Sequence, residues 1–130
     1  MLVGHSIAGY NLRVFADQYP DELAGLVFLD ATDSGLDEFS PPPPAIRPER
    51  LDMVTSAAQV SLITDLGDLP VYVLTATIGT ADRWFDLQQV LVGLSTNSVQ
   101  VEVDASHNNI YTSQPQAIVD AVAWIVSQSG

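Results

Sequence analysis

The residues best placed to do chemistry stand at the start of the chain, in Gly4-His5-Ser6-Ile7-Ala8-Gly9. A serine hydroxyl is a poor nucleophile at its free pKa and needs a base within hydrogen-bond reach on a backbone that leaves it uncrowded. Gly4 and Ala8, two positions either side of Ser6, give that room. They fit a strained strand-to-helix turn with the serine at its tip, the nucleophile elbow. Alanine here replaces the second glycine of the usual G-x-S-x-G spacing, and Gly9 follows it. Being the smallest side chain that could stand there, Ala8 keeps the packing close. A serine ahead of a helix can equally be no more than an N-cap, so the motif acquires meaning only from its context. Two histidines, His5 and His107, are the possible bases, and Asp30 is a carboxylate directly after an apolar run.

The elements that must position these groups follow from periodicity. Residues 8 to about 19 carry Leu12, Phe15, Ala16 and Tyr19 at helical spacing, and Pro20 stops them. Leu23 to Leu29 is unbroken and apolar, which suits a strand covered on both faces, as in a parallel sheet. From Ala31 to about Pro48 the pattern breaks down into acidic residues and the run Pro41-Pro42-Pro43-Pro44, a loop excursion or the root of a cap. Pro48 can open a helix in which Leu51, Val54, Ala58 and Leu62 share a face to about Asp65, with Gly67 ending it. Val71 to Thr75 is a third strand, and Trp84, Leu87, Leu91 and Leu94 mark a helix capped by Asp82. Val99 to Val103 alternates, as expected near a sheet edge, and a last helix opens at Pro115 with Ile118, Val122 and Ile125 on one face. This alternation predicts an α/β fold with a parallel sheet of about four strands, helices on both faces, and ligands outside the carboxyl ends of the strands. Ser6, Asp30 and His107 all fall at those ends, as a nucleophile, an orienting acid and a base would.

Composition narrows the field. The 130 residues suit one domain, 47% of them hydrophobic and 15% charged, which excludes a disordered chain. Sixteen acidic residues against four arginines and no lysine give a formal charge of -12. Such a field repels nucleic acid and anionic membrane surfaces, so neither is expected as a partner. With no cysteine there are no disulfides or thiolates, and two distant histidines without H-x-x-x-H spacing give no metal site. No cofactor is expected. The sequence shows no apolar run long enough to span a bilayer and no signal peptide, so a cytoplasmic location is expected.

Taken together, the sequence resembles the α/β-hydrolase family from its nucleophile elbow to its C-terminus. The likeness rests on Gly4 to Gly9, Arg13-Val14-Phe15, Tyr19 to Glu22, Leu29-Asp30, Ser106-His107-Asn108 and Gln114-Pro115. The order Ser, Asp, His is that family's order. The resemblance implies Ser6 as nucleophile, His107 as base and the Ile7 N–H as an oxyanion donor. It places the acid after either of two strands, where Asp30 and Asp82 stand. Asp30 is preferred, because it ends a buried strand, whereas Asp82 is explained as a helix cap and Asp33 and Asp86 as solvated residues. His5 adjoins the serine in a turn that aims it away from the hydroxyl, so it is expected to pack or hydrogen-bond beside the site.

The sequence opens on the elbow strand, and the resemblance then implies that the family loop supplying a second oxyanion donor is expected to be missing. The expectation is a truncated hydrolase domain spanning 1–130, with a cap or loop segment at about 31–66. Its Met1-Leu2-Val3 edge would be open to pairing, and a homo-oligomer, most simply a two-fold dimer, is expected to cover it. The expected function is hydrolysis of a small short-acyl carboxylic ester through an acyl-enzyme. The alternative is a catalytically impaired remnant serving as a binding module.

Overall fold

The structure, a computed structural model, describes residues 1–32 and 53–128. Four parallel strands, β1 (Leu2–His5), β2 (Leu26–Leu29), β3 (Val71–Ile78) and β4 (Ser98–Ser106), form one sheet in the order β1-β2-β3-β4. Parallel neighbours need crossovers. Helices α1 (Ala8–Gln18), α2 (Met53–Ser61), α3 (Asp82–Val92), α4 (Ile110–Ser113) and α5 (Pro115–Gln128) lie between or after them. The expected α/β architecture is what the chain adopts.

The apolar runs fold as they do because both faces of the sheet are covered. Leu26, Phe28, Val71 and Val73 pack with Leu12 and Ala16 of α1 and Leu91 of α3 on one face. Their alternate neighbours Val27, Leu29, Tyr72 and Leu74 pack with Ala121 and Ile125 of α5 on the other. All four residues of β2 are buried, which is why this segment does not alternate in sequence. Among the described residues β4 has a partner only on the β3 side, and its Glu102 and Asp104 are exposed, as an edge strand allows. β1 is the opposite edge, with Val3 44% exposed.

Several boundaries and faces differ from expectation. β2 begins at Leu26, three residues into the apolar run, while β3 extends to Ile78 and β4 to Ser106. Tyr19 lies outside α1 as its C-cap, because Pro20 opens a short 3-10 turn, and its ring is exposed. α3 is capped by Ala81; Asp82 is its first residue and makes no side-chain cap bond. α4 was not expected at all. On α5 the buried residues are Ala121 and Ile125, with Ile118 and Val122 only half-buried. α2 ends at Ser61, and it buries Ala57 and Val60 while Ala58 and Leu62 are exposed. The proline run and the proposed helix start at Pro48 lie outside the described residues.

The rotation of α2 has a visible cause. Arg13, almost fully buried on α1, donates from its guanidinium to the carbonyls of Val60 at 3.1 Å and Ile63 at 2.7 Å. A cation at the end of a helix satisfies carbonyls that have no partner within it and complements its dipole. Ala57 and Val60 then meet Tyr10 of α1. Replacing Arg13 by Met is expected to strand those carbonyls at a cost of about 2–3 kcal/mol. Thermal unfolding should then show the melting temperature lowered by roughly 10 °C; a change of only a degree or two would mean that the contact holds nothing.

Candidate functional site

The turn after β1 places Ser6 in the left-handed region at φ 56°, and Asp30, after β2, stands there at φ 43°. Among the described residues they are the only non-glycine residues with positive φ. Such a conformation costs on the order of 1–3 kcal/mol and persists only where its surroundings impose it. Here the impositions are visible. The Ser6 N–H donates to the Leu29 carbonyl, and the Ser6 carbonyl accepts from the N–H groups of Gly9 and Thr32. The Asp30 N–H donates to the Leu74 carbonyl at 2.7 Å.

The two turns are pressed together, and this is what the small residues permit. A Cβ on Gly4 would come within 2.7 Å of Leu12 Cδ1 and 3.1 Å of the Ala8 Cβ. One on Gly9 would lie 2.9 Å from the Ala31 Cβ and 3.0 Å from the Thr32 carbonyl oxygen. The start of α1 therefore rests directly on the loop that follows Asp30, while Ala8 is accommodated where a glycine is more usual. Ile7 is the N-cap of α1. Its N–H lies beside Ser6 at the positive end of the helix dipole, where developing negative charge is favoured.

His107 follows β4 and reaches back over β3. Its Nδ1 lies 2.5 Å from Asp30 Oδ2 and its Nε2 3.0 Å from Ser6 Oγ. The partners set the tautomer: Nδ1–H donates to the carboxylate, and Nε2 accepts from the hydroxyl. Asp30, 1% exposed, uses its other oxygen, Oδ1, to accept from the Ala76 N–H at 3.0 Å and the Trp84 indole N–H at 2.8 Å. His5 stands beside the site, as expected, and its Nε2–H donates to the His107 carbonyl at 2.6 Å. Its ring also meets the edge of Tyr111. Asp82, the alternative acid, is exposed at the start of α3, and it is Asp30 that contacts His107.

A cleft of roughly 310 Å³ opens at Ser6 and His107, walled by Thr32, Trp84 and the segment Ile78 to Ala81. The wall from β3 begins at a register irregularity between Ala76 and Ile78, beyond which Ile78 still pairs with Ser106 of β4. Among its lining residues no side chain besides His107 can carry charge. The described residues hold no cluster of His, Asp and Glu that could bind a metal. None of their helices is long and apolar enough to cross a membrane.

Sequence reasoning missed three contributors: Thr32, the Ile78 to Ala81 wall and the Trp84 N–H. Only the last carried a signal, since a tryptophan set against a core usually finds an acceptor for its N–H.

Sheet order, elbow and a site along the carboxyl edge together define an α/β-hydrolase fold, as the resemblance implied. Two solved structures share it. One comes from work on LipS and LipT, two metagenome-derived lipolytic enzymes: TM-score 0.65 and 16% identity, over 96% of this chain and 64% of that one. The other is a probable hydrolytic enzyme from Pseudomonas aeruginosa PAO1: TM-score 0.53 and 15% identity, over 95% of this chain and 62% of that one. The chain thus spans less than two thirds of the length of either structure. No protein-family model and no curated protein matches it.

Proposed function

We propose that the chain carries the active site of a serine hydrolase acting on short-acyl carboxylic esters. The observation that carries this reading is the continuous path from Ser6 Oγ through the His107 imidazole to Asp30, with contacts of 3.0 and 2.5 Å at the mouth of a cleft. Ser6 Oγ attacks the ester carbonyl as its proton passes to His107 Nε2. The Ile7 N–H receives the resulting oxyanion, and Asp30 stabilises the imidazolium. The intermediate collapses when His107 returns the proton to the departing alcohol, leaving an acyl group on Ser6. Water, deprotonated by His107, then attacks that acyl group, and the carboxylic acid is released. The uncharged lining between Ile78 and Trp84 suits a neutral ester with a small acyl group. The two structural neighbours, described as lipolytic and hydrolytic, point the same way.

The test is hydrolysis of p-nitrophenyl acetate and butyrate, with covalent labelling by a fluorophosphonate in parallel. Turnover together with labelling at Ser6 supports the reading. Background rates with no labelling would favour a binding module that has the fold but not the reaction.

A second copy of the chain is proposed as the partner of the β1 edge, where Met1 and Val3 stay 39% and 44% exposed. Open strand edges with apolar side chains invite pairing. Sedimentation should return twice the 14.0 kDa of the chain; a single species at the monomer mass would refute it.

A further inference from the structure

We infer that α3 is a clamp on the acid, with Trp84 as a positioning residue for His107 and Gln88 as its support. This rests on the proposed role of Asp30. Trp84 and Gln88 are one helical turn apart and therefore share a face of α3. From that face the Trp84 indole N–H donates to Asp30 Oδ1 at 2.8 Å, and the Gln88 amide donates to the Ala31 carbonyl at 2.7 Å. One helix thus grips both the carboxylate and the main chain just after it. The Asp30 backbone is in a conformation that a non-glycine residue does not hold unaided.

The grip is anchored deep in the sheet. Gln88 is fully buried, and its Oε1 accepts from the Thr75 hydroxyl on β3 at 3.2 Å. Thr75 in turn accepts from the Gln100 amide on β4. A fully buried amide with both ends engaged has little freedom, because leaving either end unmade is costly. Asp30 is therefore referred, through Gln88 and Thr75, to the strand that His107 follows.

Trp84 does two further things. By occupying Oδ1 together with the Ala76 N–H, it leaves Oδ2 as the oxygen that faces His107. Its ring also meets that of His107 edge to face, at 5.4 Å and 84°, and so bounds the tilt of the imidazole on the cleft side. Without that donor the carboxylate is freer to turn, and its contact with the His107 Nδ1–H loosens.

The experiment compares Trp84→Phe, which keeps a ring and loses the N–H, with the wild type, following the His107 Nδ1–H by its proton NMR signal at one fixed pH. Gln88→Ala is measured beside it, and Asp30→Asn serves as the reference for a broken pair. In Trp84→Phe the Nδ1–H signal should broaden or move upfield, and in Asp30→Asn it should be lost. The kcat of Trp84→Phe for p-nitrophenyl butyrate should fall by roughly tenfold with KM little changed. An unmoved Nδ1–H signal and a kcat within twofold, in a folded Trp84→Phe protein, would overturn the clamp. So would a lowered melting temperature with no change in that signal, since that is all a packing role would produce. The NMR signal does not depend on turnover, so it tests the clamp even where ester hydrolysis is absent. Absence of hydrolysis in the wild type counts against the proposed function alone.

Discussion

Ser6→Ala should lose ester hydrolysis by a factor of about 10⁴ to 10⁶ in kcat, while the protein melts within a few degrees of the wild type. The fall is large because, in the proposed mechanism, Ser6 carries the acyl intermediate. The fold should survive because, among the described residues, the hydroxyl's hydrogen bond is the one with His107 Nε2. The backbone bonds that hold the turn use the Ser6 N–H and carbonyl, which alanine retains. The measurement is p-nitrophenyl butyrate turnover corrected for the spontaneous rate, with fluorophosphonate labelling on the same preparations. A mutant that turns over at the wild-type rate would remove Ser6 from the chemistry and the proposed mechanism with it.

Asp30→Asn is expected to cost about 10⁴ in kcat. Three donors converge on the carboxylate: the His107 Nδ1–H, the Ala76 N–H and the Trp84 indole N–H. An amide offers one acceptor oxygen and one donor nitrogen, so it cannot face all three. With its oxygen toward Ala76 and Trp84, its NH₂ meets His107 and forces the proton from Nδ1 to Nε2. A protonated Nε2 cannot take the proton of Ser6, although every heavy atom stays nearly in place. Asp82→Asn is the control and should leave kcat within about twofold, because Asp82 is exposed and makes no cap bond. Equal losses in the two variants, or a loss at Asp82 alone, would return the acid to the other loop.

The sheet was legible because burial on both faces writes itself into sequence as unbroken apolar runs, and Leu26 to Leu29 is the clearest case. The elbow was legible because Gly4 and Gly9 lack side chains where the turn meets Leu12, Ala31 and Thr32, and Ala8 is small where it faces Gly4. What sequence could not convey were facts fixed by distant partners. The face of α2 is set by a buried arginine forty-seven residues away from the Val60 carbonyl it holds, and no periodicity within α2 records that. The start of α3 was misjudged because aspartate is as much at home in a first turn as at a cap. Trp84 and Gln88 look like an apolar helix residue and a surface amide. Their partners Asp30 and Ala31 lie 54 and 57 positions away.

The three residues of the proposed site do not hang from equally secure supports. Asp30 extends an inner strand that is paired on both sides, whereas Ser6 and His107 extend the two outermost strands of the described sheet. Backbone pairs at a margin open more readily than those between two neighbours, without unfolding of the remainder. In a single copy of the chain the carboxylate is therefore the fixed point, and the proposed nucleophile and base are the members whose alignment fluctuates. Mild denaturant or warmth would scatter them first, leaving a folded molecule in which the reaction has already stopped.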